Sequence, residues 1–212
     1  GILGVLIFFF PSLFGEGYEN IKILADNNPE LMVKNTVFER FSDSSWILLL
    51  VISATMLVKV YATSLTLGAG GNGGNFAPSL FVGSYLGFSI ATFFNLTGLT
   101  KLPVGNFTLV GMAGILSGLF HAPLTAIFLI AEITGGYNLM VPLMIVSSVS
   151  FAISKRFEPH SFDIKNLADK GEVFTDNRDT NILNSIDVSK LVELDYKAIS
   201  VSPNLDELVQ KI

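Results

Sequence analysis

The chain has 212 residues, half of them hydrophobic and only 15% charged, with a formal net charge of −5; soluble domains carry about 25% charged residues. From Ala62 to Ser154 the ionisable side chains are Tyr85, Lys101, His121, Glu132 and Tyr137 alone, a run that a bilayer-spanning fold needs and a soluble one, which must show water a polar face, does not. No basic patch interleaved with aromatics points to nucleic acid, and the lack of cysteine excludes disulfides, zinc–thiolate sites and a thiol nucleophile.

Residues 1–14 (GILGVLIFFFPSLF) read as the tail of a spanning helix stopped near Pro11. The run starts at Gly1 with no Met and no basic segment, so it reads as no signal peptide but as a chain cut at both ends. GEGYENIKIL opens a shorter helix that fades into a polar loop around Asp26–Ser45. Trp46–Leu67 is the next apolar helix, with Trp46 placed as an interfacial aromatic and Lys59 inside the span.

Five of the next seven positions are glycine (Gly68, Gly70, Gly71, Gly73 and Gly74), a density that ends a regular helix, since each glycine costs about 1 kcal/mol relative to alanine. A new apolar helix follows from about Phe76 to Leu96, then a connection over Thr100–Val104. From Gly105 the chain is apolar to Phe120, breaks at HAPLT (121–125), resumes as AIFLIAE, breaks again at TGGYN (134–138) and runs on as Leu139–Ser154. Most of these last pieces fall short of the ~20 residues that cross a bilayer. The fold class predicted is therefore an all-α polytopic membrane protein with broken, tilted helices. Lys155 and Arg156, directly after the last of them, put that end in the cytoplasm by the positive-inside rule. The tail is polar, and AISVS before Pro203 reads as a strand. Leu205, Leu208, Val209 and Ile212 share one face of a helix that Asn204 can cap, so the C-terminus reads as a short α/β beginning.

The segment Gly73-Gly74-Asn75-Phe76-Ala77-Pro78 carries the chemistry. Proline suits the first turn of a helix, where its missing N–H costs no bond, and the glycines let the backbone turn sharply before it. The N–H groups around Asn75, Phe76 and Ala77 then stand without partners in an apolar region, where they cannot be left unpaired. An anion satisfies them, helped by the positive end of the helix dipole. The alternative is a glycine-rich packing bend. A soluble phosphate loop does not fit, because no Lys-Ser/Thr follows the glycines.

GGNFAPSLFVGSYLG resembles the G-x-F-x-P signature of the CLC family of chloride channels and proton-coupled antiporters, with Gly74, Phe76 and Pro78 at the fixed positions. GMAGILSGLFHAPLTAIFLIAEITGGYNLMVP (111–142), FPSLFGEGYENI and Lys59 ahead of the glycine break are similar to the family in the same order, and the tail resembles the start of a CBS domain. The resemblance implies three parts: residues 1–156 as the C-terminal half of a CLC membrane domain, 157–185 as a cytoplasmic linker and 186–212 as the opening of a CBS domain. It implies a homodimer with one anion path per subunit, chloride or another small anion as substrate, no cofactor, and nucleotide only on a complete CBS pair. The anion-binding groups it implies are the backbone amides of Asn75 and Phe76, and the expected site takes in those of Gly74 and Ala77 on either side. A tyrosine hydroxyl of the family aligns with Asp163 here, where a carboxylate repels chloride unless it is protonated or turned away.

Other polar residues carry structural expectations. Glu132 reads as a partner to backbone or basic groups, Lys59 as snorkelling or paired, and His121 as lying at an interface or hydrogen-bonded. Ser64 and Thr66 read as bonded to carbonyls of their own helix. No Ser–His–acid spacing, paired carboxylates or metal cluster stands out, so no catalytic residue or metal ligand is assigned. Channel and antiporter both remain open, as do an unrelated polytopic permease and a fragment whose main role is a nucleotide-sensing tail.

Overall fold

The computed structural model describes residues 1–41, 44–170 and, beyond them, 179, 182, 183, 186, 205, 206 and 209. Two compact units divide the chain, residues 1–166 and 167–212. In the second, positions 179, 182, 183, 205, 206 and 209 are helical and exposed. The expected strand over 198–202 lies outside the described residues, as do Leu208 and Ile212.

The helices are α1 (Ile2–Phe9), α2 (Tyr18–Ala25), α3 (Glu30–Val33), α4 (Ser45–Gly68), α5 (Phe76–Leu96), α6 (Val104–Phe120), α7 (Pro123–Ile133), α8 (Met140–Phe157) and α9 (Phe162–Asp169). The described residues contain no strand. Three helices, α4, α5 and the one that starts at Met140, are long and apolar enough to cross a membrane. Their apolar windows are only 33%, 50% and 11% buried within the chain; that much outward apolar surface suits lipid or a partner, not water.

Three boundaries differ from the sequence reading. The polar stretch after Asp26 contains the one-turn α3. The break at HAPLT shrinks to His121 and Ala122, because Pro123 takes the first helical position of α7 and Leu124 and Thr125 follow it into the helix. The linker expected from residue 157 opens with a helix: α8 runs to Phe157, and α9 occupies Phe162–Asp169.

Close approach of α5 and α6 depends on glycine. A Cβ on Gly83 would stand 2.7 Å from the Gly111 carbonyl oxygen, and one on Gly87 would overlap the Phe107 carbonyl. Small residues let backbones meet in this way where no hydrophobic drive separates helix from lipid. α6 meets α8 through hydroxyls: Ser150 donates to the Gly114 carbonyl (2.7 Å), Ser154 to Gly118 (2.5 Å) and Ser117 back to Ser147 (2.6 Å). Leu80, Met112, Ile130 and Leu143 form one core cluster around α6, and Leu24, Ile52, Phe81, Tyr85 and Phe88 a second between α2, α4 and α5.

Candidate anion site

α5 begins where the sequence predicts, with Asn75 at its N-cap. Its first main-chain bond runs from the Ser79 N–H to the Asn75 carbonyl, 3.0 Å. The N–H groups of Phe76 and Ala77 therefore have no intrahelical acceptor, and Pro78 has no N–H to satisfy. Asn75 cannot use the usual capping bond to the third helical residue, because that residue is Pro78. Its torsions (φ −86°, ψ −7°) are helical rather than the extended ones of a capping residue, and its side chain makes no cap bond. Among the described residues neither donor finds a partner.

Asn75, Pro78 and Ser79 line a cavity of about 1030 Å³ between α4, α5, α6 and α8, with Phe162 of α9 at its wall. Among the described residues the lining is apolar apart from Asn75 and a few hydroxyls, and no ionisable side chain takes part in it. An anion placed there meets the Asn75 carboxamide and the hydroxyl dipoles of the described lining, not a fixed charge.

Of the residues predicted for the site, the structure brings Asn75 to the cavity. Gly74 is exposed just before α5, and Ala77 is half-buried. The side chain of Phe76 is 41% exposed, with its ring 6.0 Å from that of Phe120. Asp163 is exposed on the first turn of α9, and its neighbour Phe162 is the one at the cavity wall. Ser79, Ser150 and Ser154 also line the cavity and were not singled out from the sequence. The four-residue spacing of Ser150 and Ser154, matched by that of Gly114 and Gly118, is the signal that could have found two of them.

The remaining polar residues settle as follows. Ser64 and Thr66 bond the carbonyls of Val60 (2.9 Å) and Ala62 (2.8 Å), as expected. Lys59 does not snorkel: it is 4% exposed, donates to the carbonyls of Leu13 (3.0 Å) and Gly15 (2.9 Å), and lies 4.9 Å above the centre of the Phe81 ring. The partner expected for Glu132 is not found among the described residues, and the side chain is exposed. His121 turns the chain in the left-handed region (φ 54°) and packs edge-on to Phe151. Among the described residues no three His, Cys, Asp or Glu side chains cluster as metal ligands.

Interrupted apolar helices, three of them long and apolar enough to cross a membrane, mark a polytopic membrane fold. The chain belongs to the voltage gated chloride channel family, which it matches over residues 1–155. It is 32% identical over 152 residues to chloride channel protein CLC-e of Arabidopsis thaliana, covering 67% of this chain and 20% of that protein. With the voltage-gated ClC-type chloride channel ClcB of Escherichia coli it shares 30% identity over 158 residues, covering 73% of this chain and 33% of that protein. The chain thus spans between a fifth and a third of the length of these curated relatives.

Proposed function

We propose that the protein carrying this chain moves chloride or another small anion across a membrane, and that the anion is held at the N-terminus of α5. The observation that carries this reading is the pair of N–H groups at Phe76 and Ala77 left without an intrahelical acceptor, between Asn75 and Pro78, which both line an apolar cavity. The dipole of a 21-residue helix adds to them. Membership of the family supports chloride as the ion, and the names of its relatives as channels support transport over catalysis.

The assembly is a homodimer with one path per subunit. Lys155 and Arg156 in the last turn of α8 support a cytoplasmic C-terminal side. The segment from residue 186 opens a CBS-type regulatory module, for which nucleotide requires a complete pair. Halide flux from liposomes holding the complete protein, with and without a pH gradient, tests the reading. Flux that drives proton movement means antiport, flux indifferent to protons means a channel, and no flux of any halide sinks transport.

A further inference from the structure

Among the described residues five hydroxyls line the cavity, and each has already given its proton to a main-chain carbonyl. Thr63 donates to Lys59 (2.9 Å), Ser64 to Val60 (2.9 Å), Ser79 to Asn75 (2.5 Å), Ser150 to Gly114 (2.7 Å) and Ser154 to Gly118 (2.5 Å). What they leave toward the cavity is oxygen lone pairs, which an anion avoids. The carboxamide of Asn75 is different. It lines the same cavity, caps nothing, and makes no hydrogen bond among the described residues. Pro78 removes one of the two main-chain donors that an asparagine at this position can serve, and the side chain makes no bond to the other, the Ala77 N–H.

We propose that the Asn75 side chain is a direct ligand of the anion and the group that sets selectivity among anions. This rests on the anion site proposed above and adds a side-chain donor to its amides. A cavity walled by hydrocarbon and lone pairs favours large, weakly hydrated anions such as thiocyanate, which lose least on leaving water. A small, strongly hydrated ion such as chloride enters only where donors replace its water. The two N–H bonds of the Asn75 carboxamide supply such donors next to the open amides of Phe76 and Ala77. Asn75 therefore tips the site toward chloride, by the rule that a built hydrogen-bonding site rejects ligands that use its donors poorly.

The test compares chloride and thiocyanate binding to the complete protein, by calorimetry, for wild type, Asn75→Leu and Asn75→Ala. Leucine keeps the volume and alanine does not, so a donor effect is common to both and a packing effect is not. Both variants should lose chloride affinity about tenfold, the size of one hydrogen bond to a charged group, while thiocyanate changes less than about twofold. Retention of the wild-type chloride-to-thiocyanate ratio in either variant overturns the role of Asn75 and leaves the site reading intact. Failure of the wild-type protein to bind either anion overturns the site reading and this one with it.

Discussion

The Lys59 ammonium, in the middle of α4, donates to the carbonyl of Gly15, 2.9 Å away in the turn that joins α1 to α2. A second bond to Leu13 and the face of Phe81 complete its surroundings. Lys59 holds the corner against α4 at a point where Gly15 and Gly17 (φ 70° and 85°) give the backbone freedom to leave. Lys59→Met keeps the length and leaves two carbonyls without a donor. We expect a loss of about 2 kcal/mol, from the cost of unsatisfied buried acceptors. Thermal unfolding in detergent reads it, and an unchanged transition would show that water takes over both carbonyls.

Gly87→Ala places a methyl group in the Phe107 carbonyl, so α5 and α6 must separate. Overpacking of this kind costs about 1–3 kcal/mol. Gly98→Ala, with no atom near its Cβ, controls for substitution itself but carries a positive φ of 73°. Gly68→Ala is the cleaner control, having open space and ordinary torsions. The prediction fails if Gly87→Ala is no less stable than Gly68→Ala.

Gly118 and Ser150 form a testable couple across α6 and α8. A Cβ on Gly118 would meet the Ser150 Oγ at 2.7 Å, so Gly118→Ala should destabilise by about 1 kcal/mol or more. In the background of Ser150→Ala, which removes that oxygen, the same change should cost less. A double-mutant cycle measures the difference, and additive effects would mean that the two helices shift apart freely.

Phe76→Pro removes one of the two open N–H groups at the start of α5. It also drives Asn75 from its helical torsions, which a following proline disfavours. Halide affinity of the complete protein should fall at least about tenfold. Affinity equal to wild type would reduce the glycine break to a packing bend.

Much of this was legible because the signals were strong and local. The start of α5 at Phe76 follows from five glycines before it and a proline in its first turn; the end of α1 follows from Pro11. The positions of Ser79, Ser150 and Ser154 were not legible, because a serine reads alike whether it faces lipid, a carbonyl or a cavity; only the packing of α6 on α8 decides. Lys59 left snorkelling and pairing equally open, since nothing local shows that two carbonyls 44 and 46 residues earlier converge on it. His121 and Ala122 suffice as a break, where the dipeptide context suggested five residues, because His121 accepts the left-handed turn that glycine usually takes.

The corner at His121 has a consequence for how the chain sits in a bilayer. α7 has 11 residues, about 16 Å of helix, half of the ~30 Å hydrocarbon thickness. α6, with 17 residues, also falls short, at about 26 Å. At its length α7 cannot cross a bilayer as a separate segment, and at apolar depth it depends on α6 and α8, the helices it packs against.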